Sequence, residues 1–205
     1  MSYLDSNPRV SWANAFESGI RTQAAADLEE AGAKVQTSGA KSGGCYGDHY
    51  TPIYSAVKRM EREAPLLAAV GHWLSLADTG AANQHLDDVA DAILERFISL
   101  TPEWESYRSA RKERVEALIQ ARMMQDRNDM DGSRPLWQPK EICFYCREFM
   151  GVKIVADNWQ RDGWDKVWSR IGDIIHSLES DAMEPISKKI RETNKKYREF
   201  CRQAA

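Results

Sequence analysis

The stretch PKEICFYCREFMGVKIVADNWQRDGWDKVWSRIGDIIHSL, Pro139 to Leu178, decides how this chain is read. It holds four large aromatic anchors, Phe144, Trp159, Trp164 and Trp168, a glycine at each of two junctions, Gly151 and Gly163, and the cysteine pair Cys143 and Cys146. Pro139 needs no backbone donor, so it suits the first turn of a helix through Ile142, Tyr145, Cys146 and Phe149. Gly151 stops that helix. Val152, Val155, Ala156 and Trp159 recur at helical spacing and predict a short second helix, ended by Asp162-Gly163. Trp164, Val167, Trp168, Ile171, Ile174, Ile175 and Leu178 then lay out a long third one. Helix, turn, short helix, turn, long helix is a helix-turn-helix-like order. In such a module the second helix enters the major groove while basic residues near the turn touch phosphates. Lys153, Arg161, Lys166 and Arg170 alternate with the aromatic anchors and are the candidate DNA contacts of the module. Arg147 occupies the position, four before Gly151, that a strict helix-turn-helix gives to a small residue.

Beyond Leu178, Pro185 predicts the start of a separate terminal helix. Its apolar positions, Ile186, Ile190, Tyr197 and Phe200, are outnumbered by Lys188, Lys189, Arg191, Lys195, Lys196, Arg198 and Arg202. Lys188, Lys189, Lys195 and Lys196 are candidate contacts to phosphates, a sequence-independent grip; the alternative is that the apolar positions dock the helix and leave the cations in water. Upstream, NDMDGSRPLWQP carries two prolines and a glycine. It predicts a linker over 128–139 between a helical body, 1–127, and the module with its basic terminal helix, 140–205.

Within the body, a helix is expected from Trp12 to about Ala31, then a glycine- and serine-rich loop before Gly47. Thr51 followed by Pro52 marks a helix start, Pro65 marks another, DTGAAN over 78–83 reads as a turn, and Leu86 to Phe97 again shows helical spacing. Thr101-Pro102 launches the longest helix of the body, from 102 to about 125. The expected fold is all-α, a multi-helix protein with an amino-terminal helical body and a carboxy-terminal helix-turn-helix-like module.

The chain has 205 residues and a formal charge of −3, so no global positive field announces a nucleic-acid partner, and any such role rests on local patches. No segment approaches the roughly 20 apolar residues that a bilayer span requires, and no signal-like start is present, so a cytoplasmic protein with no membrane partner is expected. Four cysteines, Cys45, Cys143, Cys146 and Cys201, do not form a secreted disulfide framework. Cys143 and Cys146 with Cys45 and His49 could compose a tetrahedral zinc site, but two thiols on one helical turn beside Ile142 and Tyr145 read better as core packing. No cofactor is expected. His72, beside Trp73, reads as a satisfied core imidazole, and Asp87, Asp88 and Asp91 as a solvated helix face rather than a metal site. With no phosphate-binding glycine loop, nucleophile elbow or zinc-protease motif, the reading is of a protein that is not an enzyme.

GDHYTPIYSAVKRMEREAPLLAAVGHWL, Gly47 to Leu74, resembles the helical start of phage late-gene transcription antiterminators of the Q type. The resemblance is carried by Asp48, the run Ile53 to Met60 with Ala56 and Arg59, the break at Pro65, and Trp73-Leu74. It implies a phage protein that binds double-stranded DNA near a late promoter through a helix-turn-helix or sigma-like module, joins bacterial RNA polymerase and its sigma factor, and lets the polymerase read through terminators. The competing expectation is a small helical phage protein that binds a host protein and no nucleic acid.

Overall fold

A single helix of forty residues, Trp164–Gln203, is the spine of the molecule in this computed structural model, which describes residues 3–16, 50–76, 79–129 and 135–203. In chain order the helices are α1 over 8–16, α2 Thr51–Glu63, α3 Pro65–Ser75, the short α4 Thr79–Asn83, α5 Leu86–Ser99, α6 Ser109–Asn128, α7 Pro139–Met150 and α8, the spine. Among the described residues there is no strand, so the all-α expectation holds. No described helix is long and apolar enough to cross a membrane.

The spine packs against α2, α3, α5 and α6. Its first half buries Trp164, Val167, Ile171, Ile174, Ile175 and Leu178 in a core shared with Trp73, Ile93, Phe97, Leu118, Ile119 and Ile142. Its second half buries Met183, Ile186 and Ile190 in a second cluster with Leu4, Trp12, Ile53, Val57 and Met60. Residues on both sides of 128–139 thus share the first core, and the second joins the amino terminus to the carboxy-terminal helix.

Four local expectations change. Pro185 lies inside α8 and does not begin a new helix. Proline removes one backbone bond, to the carbonyl four residues back, yet Asp181 and Pro185 both stand on the exposed side, where water replaces the lost partner. Residues 152–155 are not helical, Val155 is extended, and only a 3₁₀ turn, Ala156–Asn158, follows, so the short second helix of a helix-turn-helix is absent. The reason is a period-two pattern of β-branched residues: Val152 and Ile154 are buried while Lys153 and Val155 face out. The long helix of the body begins at Ser109, because Trp104 turns into the core from a 3₁₀ turn, Trp104–Ser106, and Tyr107 and Arg108 are extended. Residues 79–83 form a turn of helix rather than an open turn. The expected helix beyond residue 16 and the loop before Gly47 lie outside the described residues.

Other signals hold. α7 starts at Pro139 with a capping box, Gln138 Nα donating to the Glu141 carboxylate at 2.6 Å. It ends at Gly151, whose φ of 69° only glycine adopts without strain, with Gly151 N donating to Arg147 O and Val152 N to Cys146 O.

The amino terminus is tied down twice. Leu4 N donates to Asn194 Oδ1 at 2.8 Å and Asn194 Nδ2 donates back to Leu4 O at 3.1 Å, so one buried side-chain amide satisfies both polar groups of the Leu4 backbone. Trp12 lies across Gly71 of α3, and its Nε1–H donates to His72 Nδ1 at 3.3 Å. That bond fixes the tautomer: Nδ1 accepts, so Nε2 carries the proton and donates it to Glu61 Oε1 at 3.0 Å. His72 is the satisfied core imidazole that the sequence suggested. His85 stacks on it with ring centroids 5.0 Å apart.

A Cβ at Gly71 would fall inside the Trp12 ring, whose body cannot swing away as a flexible chain end could. Gly71→Ala is therefore expected to destabilise by about 1–3 kcal/mol, the range for overpacking, read as a lower urea midpoint; an unchanged midpoint would show that Trp12 is not seated there. Burial lowers the His72 pKa from 6.5, helped by nearby His85 and Lys58 and opposed by Glu61. The unfolded chain then takes up the proton first. Stability should be full above pH 6.5 and fall as the pH drops below it, and His72→Gln should remove that slope. Glu61 acts lower: burial works against its charge, but bonds from Lys58 and His72 outweigh this and hold its pKa below 4.5, so its contribution fades only under that value. Unfolding by urea across a pH series checks the assignment, which fails if the wild-type and His72→Gln profiles run parallel.

Candidate nucleic-acid interface

The eight basic residues expected to meet DNA fall into two groups on or near α8, and the helix itself sets their separation. Lys166 and Lys188 stand on the same rod of 1.5 Å rise per residue, about 33 Å apart along its axis. The two groups are therefore separate surfaces and not one module.

In the first group, Lys153 projects from the segment between α7 and the 3₁₀ turn and is exposed, as is Lys166 in the first turn of α8. Arg161 is exposed and pairs with its neighbour Asp162 at 3.3 Å. Arg170 differs from the other three. Its Nη1 donates to Thr101 Oγ1 at 2.9 Å and its guanidinium lies over the Phe97 ring at 5.8 Å, so it ties α8 to the end of α5. Thr101, expected to cap a helix, is buried and serves Arg170 instead. The aromatic residues are unsuited to stacking bases here, since Trp159 and Trp164 are buried and Trp168 packs edge-on against Trp159 beneath the Arg122 guanidinium. Phe144, expected as a core anchor, and Phe149 are exposed instead. α7 buries only the face bearing Ile142, Cys143 and Cys146.

The second group stands on the last turns of α8. Lys188, Lys195 and Lys196 are exposed, and Lys189 is half-buried with Glu192 at 3.7 Å. Between them Arg191, Lys195 and Arg198 share one face, at spacings of four and three residues. Opposite that face lies the amino-terminal segment, and the space between the two is a groove of about 540 Å³ lined by Tyr3, Ser6, Ser187, Ile190, Arg191, Asn194, Lys195 and Arg198. Among the described residues no carboxylate lines it. Arg198 donates a hydrogen bond to the Tyr3 hydroxyl, and its guanidinium sits 5.5 Å from the ring centroid. Arg191 and Arg198 were legible only as members of a charge run. The signal that selects them is their shared face, and the partner that makes a groove of it, residues 3–6, is nearly two hundred positions away in sequence.

A second cleft, of about 500 Å³, opens on the other side of the amino-terminal segment and has a different character. Arg9 is buried there; its Nε donates to Glu179 Oε1 at 2.6 Å and its Nη1 to the carbonyls of Asp126 and Asp129. Arg122 donates from Nε to both carboxylate oxygens of Asp126, at 3.0 and 3.1 Å. Burial raises the Asp126 pKa, and the Arg122 guanidinium opposes it. With His176 at its rim the cleft mixes both signs of charge, and its buried groups are engaged in holding α1, α6 and α8 together.

The remaining sequence candidates are not gathered into a site. Asp87, Asp88 and Asp91 are exposed on α5. Cys143 and Cys146 are buried thiols, Cys146 donating weakly to Ala117 O at 3.8 Å, and burial raises both pKa values, that of Cys146 to about 12. Cys45 and His49, the other members of the possible zinc set, lie outside the described residues. Among the described residues no three His, Cys, Asp or Glu side chains come together as metal ligands.

Arg170 and Lys166 should separate on mutation. Arg170→Ala leaves Thr101 Oγ1 buried without its donor and is expected to cost about 1–3 kcal/mol, whereas Lys166→Ala should stay within about 0.5 kcal/mol. Equal effects in urea unfolding would place Arg170 on the surface with Lys166. No protein-family model, curated protein or solved structure matches this chain.

Proposed function

We propose that this protein is a phage-encoded transcription antitermination factor that holds DNA by its phosphates and engages host RNA polymerase with its sigma factor, without catalytic residues of its own. One observation carries the DNA half of the reading. From Ile186 to Gln203 the spine bears seven lysines and arginines against two glutamates, on a chain whose overall charge is −3. Cations fixed on a rigid rod and exposed to water are what phosphate contacts require, and they serve any base sequence alike. The resemblance of Gly47 to Leu74 to the Q-type antiterminators supplies the transcriptional half.

With only a 3₁₀ turn between α7 and α8, the reading rests on backbone contact, and no residue is assigned to base recognition. The polymerase would meet a different surface. Phe144 and Phe149 are 55% and 72% exposed on the outer face of α7, and Leu136 just ahead of the helix is 60% exposed, apolar side chains of a kind usual at protein contacts. That same face favours the second reading, a helical phage protein that binds a host protein and no nucleic acid.

Retention of DNA across a salt series tests the first reading against the second. Counterion release predicts that the logarithm of affinity falls with the logarithm of salt by about 0.9 per phosphate contacted. Loss of binding with a slope of several units, together with polymerase subunits following the protein out of a bacterial lysate, is the expected result. Recovery of polymerase by a protein that never retains DNA would leave only the second reading.

A further inference from the structure

We infer that the groove between residues 3–6 and the last third of α8 is a phosphodiester-binding groove, the seat of a nucleic-acid backbone. The inference deepens the proposed function and rests on its DNA-binding half. Arg191, Lys195 and Arg198 line the groove from the helix side, Ser187 and the Tyr3 hydroxyl add neutral hydrogen-bonding groups, and no Asp or Glu among the described residues lines it. Contrast with the neighbouring cleft is informative. That cleft is similar in volume and shares Ser6 as a wall, but its lining includes Asp126, Asp129 and Glu179, and its buried Arg9 is engaged by Glu179. The amino-terminal segment thus separates a self-neutralised cleft from a cationic groove.

Three features point to a chain of phosphates rather than to a single anion or a lipid surface. From Arg191 to Arg198 the cations extend about 10 Å along the helix axis, more than one phosphate group covers. Two of them are guanidiniums, whose planar fork of donors matches phosphate oxygens. The apolar face of the same helix is already used, with Ile186 and Ile190 buried in the second core. The apolar stripe that an interfacial helix would put into a bilayer is thus already packed, with Phe200 near the helix end left exposed.

The groove is also held open before any ligand arrives. Asn194 sits on its floor, 5% exposed, and its amide bonds Leu4 in both directions, so the segment opposite α8 is fixed in register with the cations. Arg198 is steadied by the Tyr3 hydroxyl and ring. Arg191 meets Glu184 at 3.3 Å, a pair in which both side chains are about two-thirds exposed, so water competes for it and a phosphate can replace the carboxylate.

The test compares two charge-matched double variants of the full chain. Arg191→Glu with Arg198→Glu reverses two groove cations; Lys188→Glu with Lys196→Glu reverses two exposed cations outside the groove. Binding of a short fluorescein-labelled DNA duplex is followed by anisotropy across a salt series, with helical content checked by circular dichroism. The groove variant is expected to lose affinity on the order of ten-fold or more and about two units of salt slope, and the other variant, whose lysines belong to the same run but not to the groove, less than about half of that slope. The neutral pair Arg191→Gln with Arg198→Gln provides the same comparison if the reversed pair does not fold. Equal losses in the two variants would overturn the groove while leaving DNA binding in place. A wild-type protein that retains no duplex would overturn both readings. Binding to phosphatidylserine vesicles, weakened by the groove variant while duplex binding is unchanged, would reassign the groove to a membrane surface.

Discussion

The continuity of α8 through Pro185 is the constraint on which the rest of the structure depends. A proline in the middle of a helix costs about 3 kcal/mol and ordinarily divides it in two. Here the apolar stripe runs on past the proline without losing phase, from Ile175, Leu178 and Ala182 to Met183, Ile186 and Ile190, and all of it is buried. Each fully buried side chain of this kind is worth about 1.5–3 kcal/mol, so the two beyond the proline, Ile186 and Ile190, together match or exceed that cost. Because the helix does not break, two cores separated along its length are parts of one body, and the amino terminus is packed beside the carboxy-terminal cations.

Charge inside the body sets how α6 and α8 face each other. The Arg122 guanidinium lies against Gly172 and over Trp168, with Asp126 completing the pair. A Cβ at position 172 would come within 2.8 Å of Arg122 Cζ, so a side chain there would push the guanidinium out of its place. A slip of α8 by one position would bring Ile171 or Asp173 against the guanidinium. Burying two charges costs several kcal/mol, and the return is a single register between two long helices. Arg9 repeats the device for α1 by capping the carbonyls of Asp126 and Asp129 at the end of α6 while pairing with Glu179 on α8.

Much of this was legible in the sequence, because helix signals are local. Pro139, Gly151, Pro65 and the spacing from Leu86 to Phe97 each marked an element that is present. Misreadings arose where a local signal was ambiguous or was overridden at a distance. Pro185 carries the same information whether it starts a helix or sits on the wet side of one, and only the buried stripe on both sides of it decides. The run Val152 to Val155 supports a helical spacing if Val152, Val155 and Trp159 are counted, and a period of two if Ile154 is counted as well; β-branching favours the second. Phe144 reads as an anchor because aromatic residues usually are buried, whereas the twelve-residue α7 buries only the face of Ile142, Cys143 and Cys146 and leaves Phe144 outside. Arg170 was indistinguishable from Lys166 in sequence, since its partner Thr101 is sixty-nine positions away.

The candidate interface was half legible for the same reason. A run of lysines and arginines is visible to anyone reading the sequence, but a run is not a site, because a helix distributes successive residues around its whole circumference. What makes a site of Arg191, Lys195 and Arg198 is the segment that faces them, and that segment is placed by a polar pair, Leu4 with Asn194. Asn194 stands among cations in the sequence and would be taken for one more solvated position, yet it is the buried residue of that stretch and the one that fixes the opposite wall. The cations supply the attraction, which is long-ranged and indifferent to detail. The amide supplies the shape, and without it the same charges would be a solvated helix end with no groove to hold a strand.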